Sequence, residues 1–517
     1  MEDTIFVIDF GSQYSHLIVR RIREQGVHAE LFPADISIEK LKQAKGIILS
    51  GGPQNLSESD ALRINKEVFV MGIPVLGICY GMQLMSYELG GKVKAGKKRE
   101  YGNAELEISS ESDSKIFTGL EKNQNKNKKQ IVWMSHGDQV VKLPKGFVVT
   151  ASSENCAIAS MENHKSKLYG IQFHPEVVHT EHGAKMLANF IKITGAKKSW
   201  QMEDFSGEMI KKIKVQVGKD KVVCALSGGV DSAVAATLVH KAIGKQLTCI
   251  FVDTGMMRSG EVEQIEKTFK KYQKINLITV NAKAKFLKAL EGVVDPEQKR
   301  KIIGELFIRI FEQEAKSLGE ISWLVQGTLY TDAISSGVST GKQASVIKSH
   351  HNVGGLPEKF GFKLIEPLRD LYKDEVRKIG TILGLPKEVV ERQPFPGPGL
   401  AVRIIGEVTE EKLEILKQAD IIFRQEIEKK NLEKNIQQYF AVLPTIKSVG
   451  VQGDSRSYGY PIILRAVTTV DYMTANYAHI PYEVLSVVST RITNEVAGVN
   501  RVLYDITSKP PATIEWE

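Results

Sequence analysis

Leu226-Ser227-Gly228-Gly229-Val230-Asp231-Ser232 is the stretch on which the reading of the chain turns. Before it, Lys221 to Leu226 (KVVCAL) is a short apolar run rich in β-branched residues, the pattern of a buried parallel strand. After it, Ala233 to Lys241 is rich in Ala and Val and reads as a helix, with Gly244 as a natural stop. Gly228 and Gly229 permit positive φ and a close approach of backbone to a ligand. The helix start offers free N–H groups and the positive end of a dipole, so the turn is suited to holding phosphate. No Lys follows the glycines, which excludes the GxxxxGK[ST] pattern. The plain alternative is a glycine turn between a core strand and a helix, and the flanking segments weigh against it.

A chain of 517 residues is long enough for about three domains. Its 42% hydrophobic and 25% charged residues are ordinary for a soluble globular protein. A net charge of +8 suits anionic small molecules as well as nucleic acid. The sequence lacks an arginine-rich or aromatic-basic stripe, so a nucleic-acid-binding scaffold is the weaker class, and no nucleic-acid partner is expected. The four cysteines, Cys79, Cys156, Cys224 and Cys249, form no CxxC pair, which argues against zinc or a disulfide framework. A reducing cytoplasm follows as the expected location. The first residues, MEDTIFVIDFGSQ, are acidic where a signal peptide is basic, and no apolar run reaches membrane-span length.

Up to about residue 195 strands and helices alternate. Ile5 to Phe10 reads as a strand and Tyr14 to Glu24 as a helix; Gly46 to Ser50 is a second strand that opens into Gly51-Gly52-Pro53. Pro74 to Leu84, PVLGICYGMQL, is a strand running through Gly77-Ile78-Cys79-Tyr80-Gly81 into a helix, a nucleophile elbow carrying Cys. The turn is sharp enough to need both glycines, and the helix N-terminus favours the thiolate. A nucleophilic Cys needs a base and a group to orient that base. Leu168 to Glu176, LYGIQFHPE, ends in His174-Pro175-Glu176, and residues two apart on an extended stretch point the same way. Glu176 can therefore hold His174 toward Cys79. A buried small Cys and a strand-end His are the bland alternatives for each residue alone. Asn123 to Gln130 (NQNKNKKQ) reads as a solvated loop, His182 to Ile193 as a helix and Gly195 to Trp200 as a linker.

Beyond the phosphate turn, Leu247 to Asp253 is the next strand of a parallel sheet, and its end at Val252 faces the same crevice. Asp295-Pro296 caps a helix that carries Lys299-Arg300-Lys301 where the dipole disfavours cations, which points to an anion partner. Ser339 to Gly355, with Lys348, His350 and His351, reads as a lid over a nucleotide. Leu371 to Arg377 opens a helix whose charges either reach phosphate or Mg²⁺ or form a solvated face. Pro394 to Leu400 is a stiff boundary, followed by an α+β unit with helices at 410–430 and 481–497. The stretch TSKPPATIEWE, 507–517, has the composition of a frayed tail.

Three resemblances organise these readings. SGGVDS resembles the pyrophosphate-binding loop of ATP pyrophosphatases, which split ATP between the α- and β-phosphates. FGSQY (10–14), SGGP (50–53), GICYGMQ (77–83), MSHGD (134–138) and GIQFHPEV (170–177) resemble the class I glutamine amidotransferases, whose triad is Cys-His-Glu. With QPFPGPGLAVR (393–403), GVQGDSRSYGYP (450–461) and SKPPATIEWE (508–517), the chain is similar to the family of glutamine-hydrolysing GMP synthases, in its compact form. That resemblance implies an α/β protein: a class I amidotransferase domain at 1–198, an adenine-nucleotide α-hydrolase-like parallel-sheet domain at 199–393, and a C-terminal α+β dimerisation domain at 394–517. It implies Cys79, His174 and Glu176 as catalytic residues, and backbone N–H groups of Gly52 and Tyr80 as the oxyanion hole. Gln83, Ser135 and His136 line the glutamine pocket. Ser227, Gly228, Gly229, Val230, Asp231, Ser232 and Val252 hold ATP, Asp231 also contacting Mg²⁺. Arg300, Gly397, Gly399, Asp454, Arg456, Lys509 and Glu515 hold xanthosine 5′-monophosphate (XMP). Glutamine, XMP and ATP are then the substrates, and a homodimer is expected. The competing reading is another amidotransferase-coupled ATP pyrophosphatase, of the amide or NAD synthetase type.

Overall fold

A computed structural model describes residues 3–56, 58, 60–109, 113–120, 130–335, 362–469, 472 and 474–517. Lys348, His350 and His351, together with 123–129 of the Lys/Asn run, lie outside the described residues. The chain divides into two compact units, the first running to Asp204 and the second beginning at Phe205.

The first unit is built on one nine-stranded sheet of order β2-β1-β3-β4-β9-β8-β7-β5-β6. Its strands are β1 (Thr4–Asp9), β2 (His28–Pro33), β3 (Gly46–Leu49), β4 (Val75–Ile78), β5 (Lys92–Ile108), β6 (Gln130–Lys142), β7 (Val148–Ser153), β8 (Ser160–Asn163) and β9 (Leu168–Ile171). The β2-β1-β3-β4-β9 block is parallel and the remaining pairings are antiparallel. Every residue of β3, β4 and β9 is buried, as strands covered on both faces must be. Their carboxyl ends lie side by side, and there the chain leaves the sheet at Ser50, Cys79 and Gln172.

The 195–200 segment is docked and does not behave as a free linker. Trp200 donates its backbone N–H to Gly26 O (3.0 Å), lies 4.8 Å beneath the Arg23 guanidinium and sits 4.7 Å from the His28 ring. Burial, with Arg23 adding repulsion, pushes the His28 pKa down to about 4. The unfolded chain therefore takes up this proton first as pH falls. The stabilisation from neutral His28 is complete above about pH 6.5 and is lost progressively toward pH 4. Calorimetry at pH 7 and pH 5 should show the melting temperature dropping several degrees more in the native chain than in His28→Leu; equal drops would contradict this assignment.

The second unit holds two sheets. One is parallel, of order β12-β11-β10-β13-β14, from β10 (Val222–Ala225), β11 (Leu247–Asp253), β12 (Asn276–Asn281), β13 (Trp323–Val325) and β14 (Lys363–Ile365). The chain leaves central β10 toward β11 on one side and later fills β13 on the other, so the carboxyl end of β10 is a topological switch point. The other sheet contains β15 (Ile404–Ile405), β16 (Gln438–Pro444), β17 (Ser448–Gln452), β18 (Ser455–Thr468), β19 (Asn476–Tyr477) and β20 (Val499–Asp505), with β18 pairing four of them. The Glu410–Lys429 and Tyr482–Glu495 helices pack on it and on each other. One apolar cluster runs through both sheets, joining Ile250, Phe286 and Leu324 to Leu416, Phe423 and Leu464. The segments on either side of residue 393 thus share a core.

Candidate active sites

In the first unit, β4 delivers Cys79 into a turn with φ 51° and ψ −107°, directly before the Tyr80–Glu88 helix. This left-handed backbone at a non-glycine residue is strain held by its surroundings. The glycines around it explain how. A Cβ at Gly77 would lie 2.6 Å from the backbone of Gly81, and one at Gly81 would lie 2.4 Å from Leu49 O. Strand and helix can only cross this closely without side chains. Cys79 N donates to Ile171 O (2.8 Å) and Gly81 N to Ser50 O (3.0 Å), which ties the elbow to β9 and to the end of β3.

His174 is fixed from three sides. Its N–H donates to Trp133 O (3.0 Å), its carbonyl accepts from the Thr180 hydroxyl (2.6 Å), and its Nδ1 meets Glu176 Oε1 at 2.7 Å. The other ring nitrogen is left for Cys79, whose sulfur favours a charged imidazole. Burial opposes a charge on His174, but the Glu176 carboxylate and the Cys79 sulfur outweigh it and hold the pKa well above its ordinary value. The three residues of the sequence reading are thus brought together as a line of acid, base and sulfur. Glu176 is fully buried, and its Oε2 has no hydrogen-bond partner among the described residues.

Gly52 lies against Tyr80: a Cβ there would sit 2.7 Å from Phe10 O and 3.3 Å from Tyr80 Cγ. Neither its N–H nor that of Tyr80 has a backbone acceptor among the described residues. Ser135 O is 3.6 Å from Cys79 Sγ. Gln83 and His136 are buried and occupied by protein partners. Gln83 Nε2 donates to Asp138 O (2.7 Å) and Gln172 Oε1 (3.3 Å). His136 meets Asp138 O through Nδ1 (3.1 Å) and Glu100 Oε2 through Nε2 (3.2 Å). Burial lowers the His136 pKa despite that carboxylate. Sequence reasoning missed two residues here. Glu100 reaches His136 only through the β5–β6 register, which no local pattern announces. Gln172, whose Nε2 is 3.6 Å from Cys79 Sγ, was within reach, since it precedes His174 by two on an extended stretch.

In the second unit, the turn after β10 has Gly228 at φ 78°, and Gly229 caps the Val230–Ile243 helix. Ser227 and Ser232 bond each other (Oγ···Oγ 3.1 Å), while Ser227 N donates to Ser232 Oγ (3.3 Å) and Ser232 Oγ to Gly229 O (3.1 Å). The end of β13 closes on the loop from behind: a Cβ at Gly327 would lie 3.1 Å from Asp231 C and 3.2 Å from Ser232 N. Asp231 Oδ2 accepts from Lys373 Nζ at 2.5 Å, which brings the Lys373–Ile382 helix to the loop. Asp231 Oδ1 is buried with no hydrogen-bond partner among the described residues. The Val252 side chain is core, so only its backbone is available at the end of β11.

Arg392 donates to the Gly228 carbonyl and pairs with Glu261 (2.7 Å). Phe395 lies 5.1–5.3 Å from Arg258, Arg392 and Arg403. Burial pushes Arg258 down to about 10, and its Asp420 partner at 3.1 Å offsets part of that cost. Arg403, fully buried, clamps both oxygens of Glu515 (3.0 and 2.8 Å), which also accepts from Gln438 Nε2 (2.7 Å). The 507–517 segment is therefore anchored, contrary to its composition. Arg465 donates to the carbonyls of Thr507 (2.6 Å), Thr513 (3.1 Å) and Ile514 (3.4 Å). Lys299 Nζ binds Glu517 Oε2 (2.6 Å), and Arg300 donates to Glu517 O (2.6 Å).

The residues expected around XMP divide into two groups. Arg300 reaches the 513–517 segment, to which Glu515 belongs, and Gly399 lies at a contact so close that a Cβ would fall 2.4 Å from Met256 O. Lys509 is bonded through Nζ to Tyr472 O (2.7 Å), and Gly397 has open space where a Cβ would stand. Asp454 sits at the exposed turn between β17 and β18, and Arg456 lies on β18 just after it, opposite Val451. Arg456 and Arg465 lie nine residues apart on β18, roughly 30 Å at about 3.3 Å per residue, so one chain does not place the turn at the 513–517 segment.

Comparison with known proteins adds an independent line. Residues 6–193 match the glutamine amidotransferase class-I family, 217–382 the thiamine biosynthesis protein (ThiI) family, and 425–516 the GMP synthase C-terminal domain family. The chain is 57% identical over 519 residues to a protein of Caldicellulosiruptor saccharolyticus named GMP synthase [glutamine-hydrolyzing], covering 100% of this chain and 99% of the relative. A Clostridium perfringens protein of the same name is 56% identical over 520 residues, with 100% of both chains covered. A Lactobacillus acidophilus protein of that name is 56% identical over 518 residues, covering 100% of this chain and 98% of the relative.

Proposed function

The chain belongs to the glutamine-hydrolysing GMP synthase family, and from that membership we propose how its residues divide the work. The activity is glutamine-dependent synthesis of GMP at the expense of ATP. In our reading Cys79 Sγ attacks the side-chain amide carbon of glutamine. The tetrahedral oxyanion is held by the N–H groups of Gly52 and Tyr80, a fixed electrostatic device of the usual kind for acyl transfer. His174, oriented by Glu176, gives its proton to the leaving ammonia and then takes one from the water that hydrolyses the thioester. Gln83, Ser135 and His136 shape the glutamine pocket. Strained backbone, buried base and paired carboxylate around Cys79 are the observation that carries this half.

For the second half, O2 of XMP attacks the α-phosphorus of ATP and pyrophosphate leaves. Ammonia then attacks C2 and AMP departs. The Ser227–Ser232 loop and the positive end of the Val230–Ile243 helix hold the pyrophosphate, and Lys373 stands ready to join them. Asp231 fits a divalent cation: one carboxylate oxygen is buried and unpartnered among the described residues, a costly state for an anion. Mg²⁺ held there would supply charge neutralisation for the leaving pyrophosphate. Val252 offers backbone to the adenine side. Arg300, Gly397, Gly399, Lys509 and Glu515 belong to the XMP side, with Arg403 orienting Glu515.

A cytoplasmic homodimer is part of this reading. Among the described residues no helix is long and apolar enough to cross a membrane. The β17–β18 hairpin exposes Val449, Val451 and Tyr458, and nearby Ile446 is also exposed, an apolar face suited to a second copy. Asp454 and Arg456 would then serve an acceptor site on that copy, given their separation from it within one chain. The test is an acceptor screen that follows AMP and pyrophosphate release with ammonium as nitrogen source. XMP should support turnover, and deamido-NAD and aspartate should not. Turnover with either of those and none with XMP would overturn the assignment.

A further inference from the structure

We propose that Gln172 is a further catalytic residue of the glutaminase site, donating an amide N–H to Cys79 Sγ in its thiolate state. This rests on the reading of Cys79 as nucleophile and extends it to a residue outside the triad. The orientation of the amide follows from its neighbours. Asp138 O is a carbonyl and can only accept, so the group that Gln83 presents to it at 2.7 Å is its NH₂. The same NH₂ lies 3.3 Å from the Gln172 amide, which must answer with its oxygen. The Gln172 NH₂ is then the end that faces Cys79 Sγ at 3.6 Å. Gln172 is fully buried, and its backbone N–H is held by Ala159 O at 2.9 Å, so the side chain has a fixed base.

The chemistry gives that N–H a task. Ser135 O, on another side of the sulfur at 3.6 Å, accepts from a neutral thiol but repels a thiolate. His174 must leave the sulfur to reach the ammonia it protonates. Gln172 is a neutral donor that stays. It stabilises the anion before attack and again when the thioester is cleaved, without competing for the proton. The chain Asp138–Gln83–Gln172–Cys79 also ties the wall of the glutamine pocket to the reacting atom.

Gln172→Leu removes the donor at similar size, and Gln172→Glu keeps the shape but sets a carboxyl group against the sulfur. Two readouts separate a chemical role from a structural one. The first is kcat/KM for glutamine-driven GMP formation, with the calorimetric melting profile as the measure of folding in the first unit and ammonium-driven formation as that in the second. The second is the pH dependence of iodoacetamide labelling at Cys79, read by peptide mass. The other cysteines are poor competitors: Cys156 is pushed up to about 12 by burial, and Cys224 and Cys249 are 1% and 0% exposed in the sheet core. Both variants should lose roughly 10- to 100-fold in the glutamine reaction, as expected for a hydrogen bond to a charged group. Labelling near pH 7 should slow about 10-fold and recover at higher pH. A native labelling profile in either variant that retains ammonium-driven synthesis overturns the proposal, as does equal loss of both nitrogen sources in both variants. Absence of glutamine-driven turnover in the native chain would instead sink the nucleophile reading itself.

Discussion

Cys79→Ala should lose glutamine-driven GMP formation by about 10⁴-fold or more while ammonium-driven formation stays within about twofold. The first number is large because Cys79 is the thiol that the elbow presents to His174, and alanine supplies no nucleophile in its place. Ser135 presents its carbonyl to that position, and the other cysteines lie elsewhere in buried structure. Removal of the sulfur also leaves His174 without the partner that helps to keep it charged. The second number is small because phosphate loop and elbow lie in different compact units with separate sheets. The substitution is also mild for the fold. Cys79 already occupies a strained backbone position that β9 and Ser50 hold through main-chain bonds, and these do not depend on its side chain. The measurement is GMP formed per minute with each nitrogen source. Comparable loss with both would show that Cys79 acts on the fold and not as the nucleophile.

Asp231→Asn has the opposite signature. Both nitrogen sources should fail together, by about 10²- to 10³-fold in AMP release, because the step removed precedes the arrival of ammonia. The variant keeps the shape of the side chain and removes its charge. Little stability should go with it. The Lys373 pair is partly open to solvent, with side-chain exposures of 45% and 27%, and such pairs contribute on the order of 0–1 kcal/mol. Near-native melting with lost adenylation is therefore the expected combination, and raised Mg²⁺ should recover part of the rate. Native AMP release in Asp231→Asn would remove this residue from the pyrophosphate site.

What could be read from the sequence was local. SGGVDS, GICYG and HPE each complete their geometry within a few residues, so strand, glycine turn and helix start can be recognised together. The Asp295–Pro296 helix start is of the same kind, and Asp295 Oδ1 accepts from Gln298 N at 2.8 Å as the capping pattern requires. What stayed hidden was set by partners distant along the chain. The 507–517 segment has the composition of a tail, but Lys299, Arg403 and Arg465 approach it from three other elements and bind its carbonyls and carboxylates. Glu100 finds His136 through strand register, across 35 intervening positions that do not announce the pairing. The continuous core across residue 393 is likewise a property of packing, since apolar periodicity tells each element which face to bury and not which neighbour will cover it.

In the reading proposed above, one chain transfers the amide nitrogen of glutamine to XMP at the expense of ATP. The most direct test of that reading uses glutamine labelled with ¹⁵N in the side-chain amide, together with ATP and XMP, and reads the product by mass spectrometry. GMP should carry the label, with one AMP and one pyrophosphate for each GMP. Unlabelled GMP, or label released as ammonium with no GMP formed while ATP is consumed, would contradict it.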